Sequence, residues 1–211
     1  VHRFEGDAAN GQSAATAFAI DQTPPTVAAG VPADGAVYTS GTPVPAAFTC
    51  ADSGSGVAAC EGTVAAGASL DTSPGAHTFT VHATDNVGHE TTLTRRYVVY
   101  PFRGFFSPVA NPPAQNAQKA GSAVPVKFSL GGNRGLGIFA AGYPRSVPVS
   151  CTTGAPTGSP AAASGALQYD ASSQQYTFVW KTDKAYAGRC RELQLRFFDD
   201  LQPRVAAFRF T

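Results

Sequence analysis

Apolar and polar positions alternate with period two in stretch after stretch of this chain, the signature of half-buried β-strands. Ala46, Phe48 and Cys50 alternate with Ala47, Thr49 and Ala51, and His77, Phe79, Val81 and Ala83 alternate with Thr78, Thr80, His82 and Thr84. Residues 91–100 continue in β-branched and aromatic types after the turn Asp85-Asn86-Val87-Gly88, which predicts a hairpin. A second set of strands is predicted at 124–130, 146–151, 167–182, 190–198 and 205–210. No window of eleven residues carries a convincing 3.6-residue apolar stripe, so the pattern predicts an all-β protein.

The 22 glycines and 16 prolines fall between the apolar runs, which makes them turn punctuation rather than a disordered block. A chain of 211 residues is long enough for two sandwiches of ordinary size. The strands group into a domain over 21–100 and another over 101–211, joined near Tyr100-Pro101 by a short linker with little hinge freedom. Residues 1–20 hold a candidate turn at Asn10-Gly11 between Phe4 and the pair Phe18 and Ile20, too little to bury a core. They read as the remnant of a preceding module or an N-terminal extension.

Only 14% of residues are charged and the net charge is +1, which leaves no basic field for a phosphate backbone. Nucleic acid is therefore not an expected partner. No apolar stretch approaches the roughly 20 residues that a membrane helix needs, and Val1-His2-Arg3-Phe4-Glu5 lacks the regions of a signal peptide. The absence of methionine fits a processed or excised segment.

Four cysteines, Cys50, Cys60, Cys151 and Cys190, allow three connectivities. Only Cys50–Cys60 with Cys151–Cys190 keeps each bridge inside one candidate domain. Paired cysteines imply an oxidising compartment and thus a secreted or extracellular location. No pair has C-x-x-C spacing, so zinc is not indicated.

The segments Ile20-Asp21-Gln22-Thr23-Pro24-Pro25-Thr26-Val27, Asp52-Ser53-Gly54-Ser55-Gly56-Val57 and Ala83-Thr84-Asp85-Asn86-Val87-Gly88 resemble the repeated bacterial immunoglobulin-like domains of secreted proteins. His89 departs from that pattern, which usually has Asn after the glycine. Further on, Tyr100-Pro101-Phe102, Phe105-Phe106-Ser107-Pro108-Val109, Ala120-Gly121-Ser122-Ala123, Pro125-Val126-Lys127-Phe128 and Val179-Trp180-Lys181-Thr182 resemble the PxKF domain. The resemblance implies two tandem immunoglobulin-like β-sandwiches at the C-terminal end of a large extracellular protein, often actinobacterial. It assigns no activity to either module.

Candidate chemistry is sparse. Phe48-Thr49-Cys50-Ala51-Asp52-Ser53-Gly54 matches the aspartic-protease signature superficially, but a second carboxylate loop is required, and the nearest copy, Asp71-Thr72-Ser73, lacks the glycine. A turn tied by Cys50–Cys60 explains the same residues. No G-x-S-x-G elbow is present. His77 and His82 are five apart on one strand and face opposite sides, so they share no metal. Lys127 lies opposite the face shared by Val124, Val126, Phe128 and Leu130, which argues against a lysine–asparagine cross-link. The chain is not expected to be an enzyme.

Asp21, Asp52 and Asp85 are the candidate metal ligands. The start of the first strand and the loops after the second and penultimate strands share one pole of such a sandwich, and calcium takes several carboxylates there. The alternative is that each aspartate caps its own turn. Among the aromatics Tyr100, Phe102, Phe105, Phe106, Tyr169, Tyr176, Trp180 and Tyr186, the residues Tyr169, Tyr176 and Tyr186 are candidates for a sugar-binding platform. The alternative places Phe105, Phe106, Phe178 and Trp180 in the core and the joint. The expected role is a non-catalytic spacer whose partners are the other domains of its parent protein. Two alternatives stand beside it: a module that binds polysaccharide or cell wall, and self-assembly in which residues 1–20 add a strand to a neighbour.

Overall fold

The computed structural model describes residues 20–211, so the expectations for residues 1–19, including strand addition and the Asn10-Gly11 turn, lie outside the described residues. Six strands build the first sandwich: β1 Thr26–Val31, β2 Ala36–Thr39, β3 Ala47–Ala51, β4 Val57–Gly62, β5 Gly75–Asp85 and β6 Glu90–Tyr100. β1 and β3 pair antiparallel, Val27 opposite Cys50. They face a four-stranded sheet ordered β2-β6-β5-β4. The alternation read from the sequence becomes burial directly: Phe79, Val81 and Ala83 of β5 are inside, while Thr80, His82 and Thr84 between them are only part-buried. Phe79 and Val81, with Val44, Tyr38, Leu70, Tyr97 and Val99, form the first core.

The predicted hairpin joins β5 to β6, with Thr84 opposite Glu90. Its turn closes through Gly88 N–H donating to the Asp85 carbonyl at 3.3 Å. Gly88 has φ +94°, a conformation that glycine alone adopts without steric cost.

Nine strands build the second sandwich: β7 Phe105–Phe106, β8 Gln115–Gln118, β9 Ala123–Phe128, β10 Arg145–Val149, β11 Ala161–Ala162, β12 Gly165–Asp170, β13 Gln175–Lys181, β14 Cys190–Leu195 and β15 Arg204–Phe210. They form a sheet ordered β11-β10-β14-β15-β8 and a second ordered β12-β13-β9-β7. Between them lie Trp180, Tyr176, Phe128, Phe197, Phe208 and Phe210, all at most 1% exposed. In β9, Val124, Val126 and Phe128 are buried while Lys127 points the other way. The single helical element among the described residues is a 3₁₀ turn at Lys184–Tyr186.

One predicted strand, 167–182, is two. Asp170 accepts bonds from Ser172 N, Ser172 Oγ and Ser173 Oγ at 2.7–2.9 Å and folds the chain back into the β12–β13 hairpin. Four exposed residues, 171–174, form the turn, and Gln174 takes φ +55° to close it. Disulfides join Cys50 to Cys60 and Cys151 to Cys190.

Candidate functional site: a carboxylate pole and a buried joint

Local hydrogen bonds tie together the loops of the first sandwich that carry Asp21, Asp52 and Asp85, but of the three only Asp21 and Asp85 bring ligand atoms close to one another. Asp21 Oδ1 accepts from Thr23 N at 2.9 Å and Thr23 Oγ1 at 2.7 Å, and its Oδ2 accepts from Ser55 N at 2.6 Å. Asp52 Oδ2 accepts from Gly54 N at 3.0 Å and Gly56 N at 2.8 Å. Asp85 Oδ1 accepts from Val87 N at 2.9 Å and His89 N at 2.8 Å, and its Oδ2 lies 2.7 Å from His89 Nδ1. Asn86 ties the loops together, donating from Nδ2 to the Ser55 and Gly56 carbonyls at 2.7 and 3.1 Å. Gly54 lies against Asp21, so that a Cβ there would displace the Asp21 carboxylate from its hydrogen bonds.

These bonds make each aspartate the cap of its own turn. They also leave two buried oxygens, Asp52 Oδ1 and Ser55 Oγ, without a partner. Ligand atoms of Asp21, Asp85 and His89 lie within 4.8 Å of one another. His89, to which the sequence assigned no role, therefore sits in this cluster. The hard-oxygen donors suit a cation such as calcium, whereas the His89 nitrogen does not.

The hydrogen bonds from Thr23 and Ser55 hold the Asp21 carboxyl well below the usual carboxylate range. Burial opposes ionisation of Asp85, but the bonds from His89 and Val87 outweigh it and its carboxyl is also lowered. A carboxyl with a depressed folded value stabilises fully above its unfolded value, about pH 4, and that contribution is lost as pH falls through the folded value. Acid is therefore expected to loosen this pole before the joint around Thr39. Amide protection factors, corrected for the intrinsic exchange rate at each pH from 5 to 2, should fall at 54–56 and 87–89 before they fall at Thr39, and the reverse order would refute the assignment.

Thr39 belongs to the second feature, where the two sandwiches meet. The free edge of β2 is covered by the segment between β14 and β15. Val37 N donates to Asp199 Oδ2 at 2.8 Å and Asp199 N to the Val37 carbonyl at 3.0 Å. Thr39 N donates to Asp200 Oδ1 at 2.6 Å, and Thr39 Oγ1 donates to Asp200 Oδ2. From the other side, Arg204 Nη2 donates to Thr39 O at 3.1 Å, Thr39 Oγ1 at 2.8 Å and Ser40 O at 2.6 Å.

Thr39 and Asp200 are 0% and 2% exposed, so these bonds are shielded from water. Burial raises the Asp200 carboxyl despite the opposing bonds from Thr39 and the nearby Arg204 charge. Aromatic contacts brace the joint: Tyr100 meets Phe198 edge-on at 5.6 Å, and the Arg134 guanidinium lies 3.9 Å over the Tyr100 ring. Phe198 holds φ +41°, a strained conformation for a bulky residue that these surroundings enforce. Asp199, Asp200 and Arg204 are not legible as joint residues in the sequence, because their partners lie more than 160 positions away.

The aromatic candidates do not form one platform. Tyr176 is 0% exposed, its ring stacked on Phe128 at 5.4 Å and its hydroxyl donating to the Gly135 carbonyl at 3.0 Å, so it is a core residue and not a ligand surface. The even-numbered face of β13 turns into the core between the two sheets, Tyr176 beside Phe178 and Trp180, a register that the polar tyrosine hydroxyl conceals in the sequence. Tyr169 packs against Tyr176 at 4.8 Å. Tyr186 packs on Trp180 and Phe210 and carries the Arg191 guanidinium at 4.1 Å. Trp180, Phe178 and Phe105 are core, as the alternative reading had it. Asp52 and Asp71, the halves of the protease-like pattern, each cap a separate turn, Asp71 accepting from Ser73 N at 2.8 Å.

No protein-family model and no curated protein matches the chain. Solved structures similar to it include the fibronectin(III)-like modules of Clostridium thermocellum CbhA, at 15% identity and TM-score 0.33, over 88% of this chain and 94% of that one. The titin domains Z1Z2 in complex with telethonin align at 14% identity and TM-score 0.24, over 91% and 98%. Bacteroides ovatus SGBP-B in complex with a mixed-linkage heptasaccharide aligns at 10% identity and TM-score 0.28, over 90% and 48%. The fold itself is read from the strand order above: two tandem all-β sandwiches of immunoglobulin-like type.

Proposed function

We propose that the chain is a rigid, non-catalytic spacer within a larger secreted or cell-surface protein, a bacterial immunoglobulin-like module at 21–100 followed by a PxKF-type module at 101–211. The observation that carries this reading is the buried joint. A flexible tether would be polar, solvated and free of contacts across it. Here an edge strand, two aspartates and an arginine interlock instead. The paired cysteines support an oxidising compartment, and no described helix is long and apolar enough to cross a membrane. Small-angle scattering should fit one fixed elongated shape from low to high salt. A distribution of inter-sandwich angles would refute the spacer reading.

Calcium at Asp21, Asp52 and Asp85 is a second element of this proposal, favoured by the unpartnered oxygens of Asp52 and Ser55. Calcium added after chelation should raise the melting temperature, and Asp52→Asn should remove that rise. A melting temperature indifferent to calcium would leave hydrogen bonding alone to hold the pole.

A further inference from the structure

We propose that Tyr143, Arg145 and Arg196 form a clamp for the carboxylate of an acidic polysaccharide, on the outer face of the five-stranded sheet. Two guanidiniums lie over one tyrosine ring: Arg145 Cζ is 4.6 Å and Arg196 Cζ 4.9 Å from the Tyr143 centroid. Arg145 lies opposite Gln194 on β14, and Arg196 follows two residues later, so both share the face turned away from the core.

The positive charges there are unbalanced. Among the described residues, the ion pairs within 4 Å all belong to histidines, so neither arginine has a carboxylate. The nearest acid in the hydrogen-bond chain, Glu192, is kept one step removed: Arg145 Nε donates to Gln194 Oε1 at 2.8 Å, and Gln194 Nε2 donates to Glu192 Oε2 at 3.1 Å. Arg196 Nε is buried with no acceptor at all. Two like charges gathered on one ring repel each other, and a bound anion relieves that repulsion while taking the planar donor forks.

The neighbouring surface narrows the ligand class. Tyr143 and Arg145 rim a depression of about 530 Å³ whose other walls are Gly142, Pro144, Pro160 and Ala161–Ala163, with Arg196 outside it. The proline and alanine carbons among these walls offer a contact to the C–H face of a sugar ring, with its carboxylate reaching the Arg145 guanidinium first. The clamp goes beyond the spacer reading and does not depend on it, since scattering tests one and retention tests the other.

Affinity electrophoresis of the 211-residue chain through polygalacturonate, neutral galactan and polyglycerol phosphate decides the matter. Polygalacturonate should retard the protein and galactan should not. Arg145→Gln and Arg196→Gln should each weaken retention about tenfold, and the double variant should run free with an unchanged melting temperature. No retardation of the wild type, or equal retardation of the double variant, would overturn the clamp. Equal retardation by polyglycerol phosphate would overturn the carboxylate assignment and leave a generic polyanion contact.

Discussion

Arg204→Ala is expected to cost about 3 kcal/mol and to convert one rigid body into two that move independently. Nη2 of this arginine alone supplies bonds to Thr39 O, Thr39 Oγ1 and Ser40 O, and its guanidinium lies 4.9 Å from the Phe102 ring. Without it, two carbonyls lose donors and Asp200 remains buried beside a hydroxyl with no cation nearby. Such unpaired burial is what makes a broken network costlier than a lost contact.

Asp200 gives the complementary result. Its carboxyl is raised by burial, so the folded state favours its neutral form; that contribution is present below the unfolded value and fades as pH rises through the folded value. At neutral pH, Asp200→Asn should therefore be much milder than Asp200→Ala, because the amide keeps an acceptor for Thr39 without the charge. Urea denaturation gives the energies and small-angle scattering the rigidity. If Arg204→Ala scatters as the wild type does, the joint is not what fixes the two sandwiches.

What the sequence made legible follows from range. Period-two alternation located β5, β6, β9 and β15 because burial on one face is written into adjacent residues. The turns capped by Asp21, Asp52 and Asp85 were legible too, each within four residues, whereas the approach of His89 to Asp21 and Asp85 was not. Short strands were not: β7 and β11 have two residues each, too few to show a period. Nor were the parallel pairings β2–β6 and β8–β15, which join segments separated by tens of residues. The joint and the Tyr143 clamp were invisible for the same reason, being built from side chains that only tertiary packing brings together. Nothing in the sequence links Arg145 with Arg196; the β10–β14 pairing and the contacts of both with the Tyr143 ring do.

Removing the Cys151–Cys190 disulfide by alanine at both positions should cost about 4 kcal/mol, because its sequence separation of 39 closes a long loop in the unfolded chain. The Cys50–Cys60 bridge spans a separation of only 10, and the same entropy argument gives about 3 kcal/mol. Local packing widens the gap. Cys190 is 2% exposed and shares a small cluster with Val147 and Val149, on the side of β10 and β14 away from the main core. The segment above it is tied mostly to itself, through Ser150 N to Ala155 O and Gly154 N to Ser150 O, with Thr157 N to Pro148 O at 2.9 Å returning it to β10. Without the bridge that cover can lift, exposing both valines. Thermal unfolding of the two double-alanine variants should rank Cys151/Cys190 as the less stable, with Val147 and Val149 amides exchanging early only in that variant. The opposite ranking would mean that the shorter bridge, beside the carboxylate pole, does more than close a loop. A stabilisation of this size exists only where the thiols stay oxidised, so the second sandwich depends more heavily than the first on an oxidising compartment.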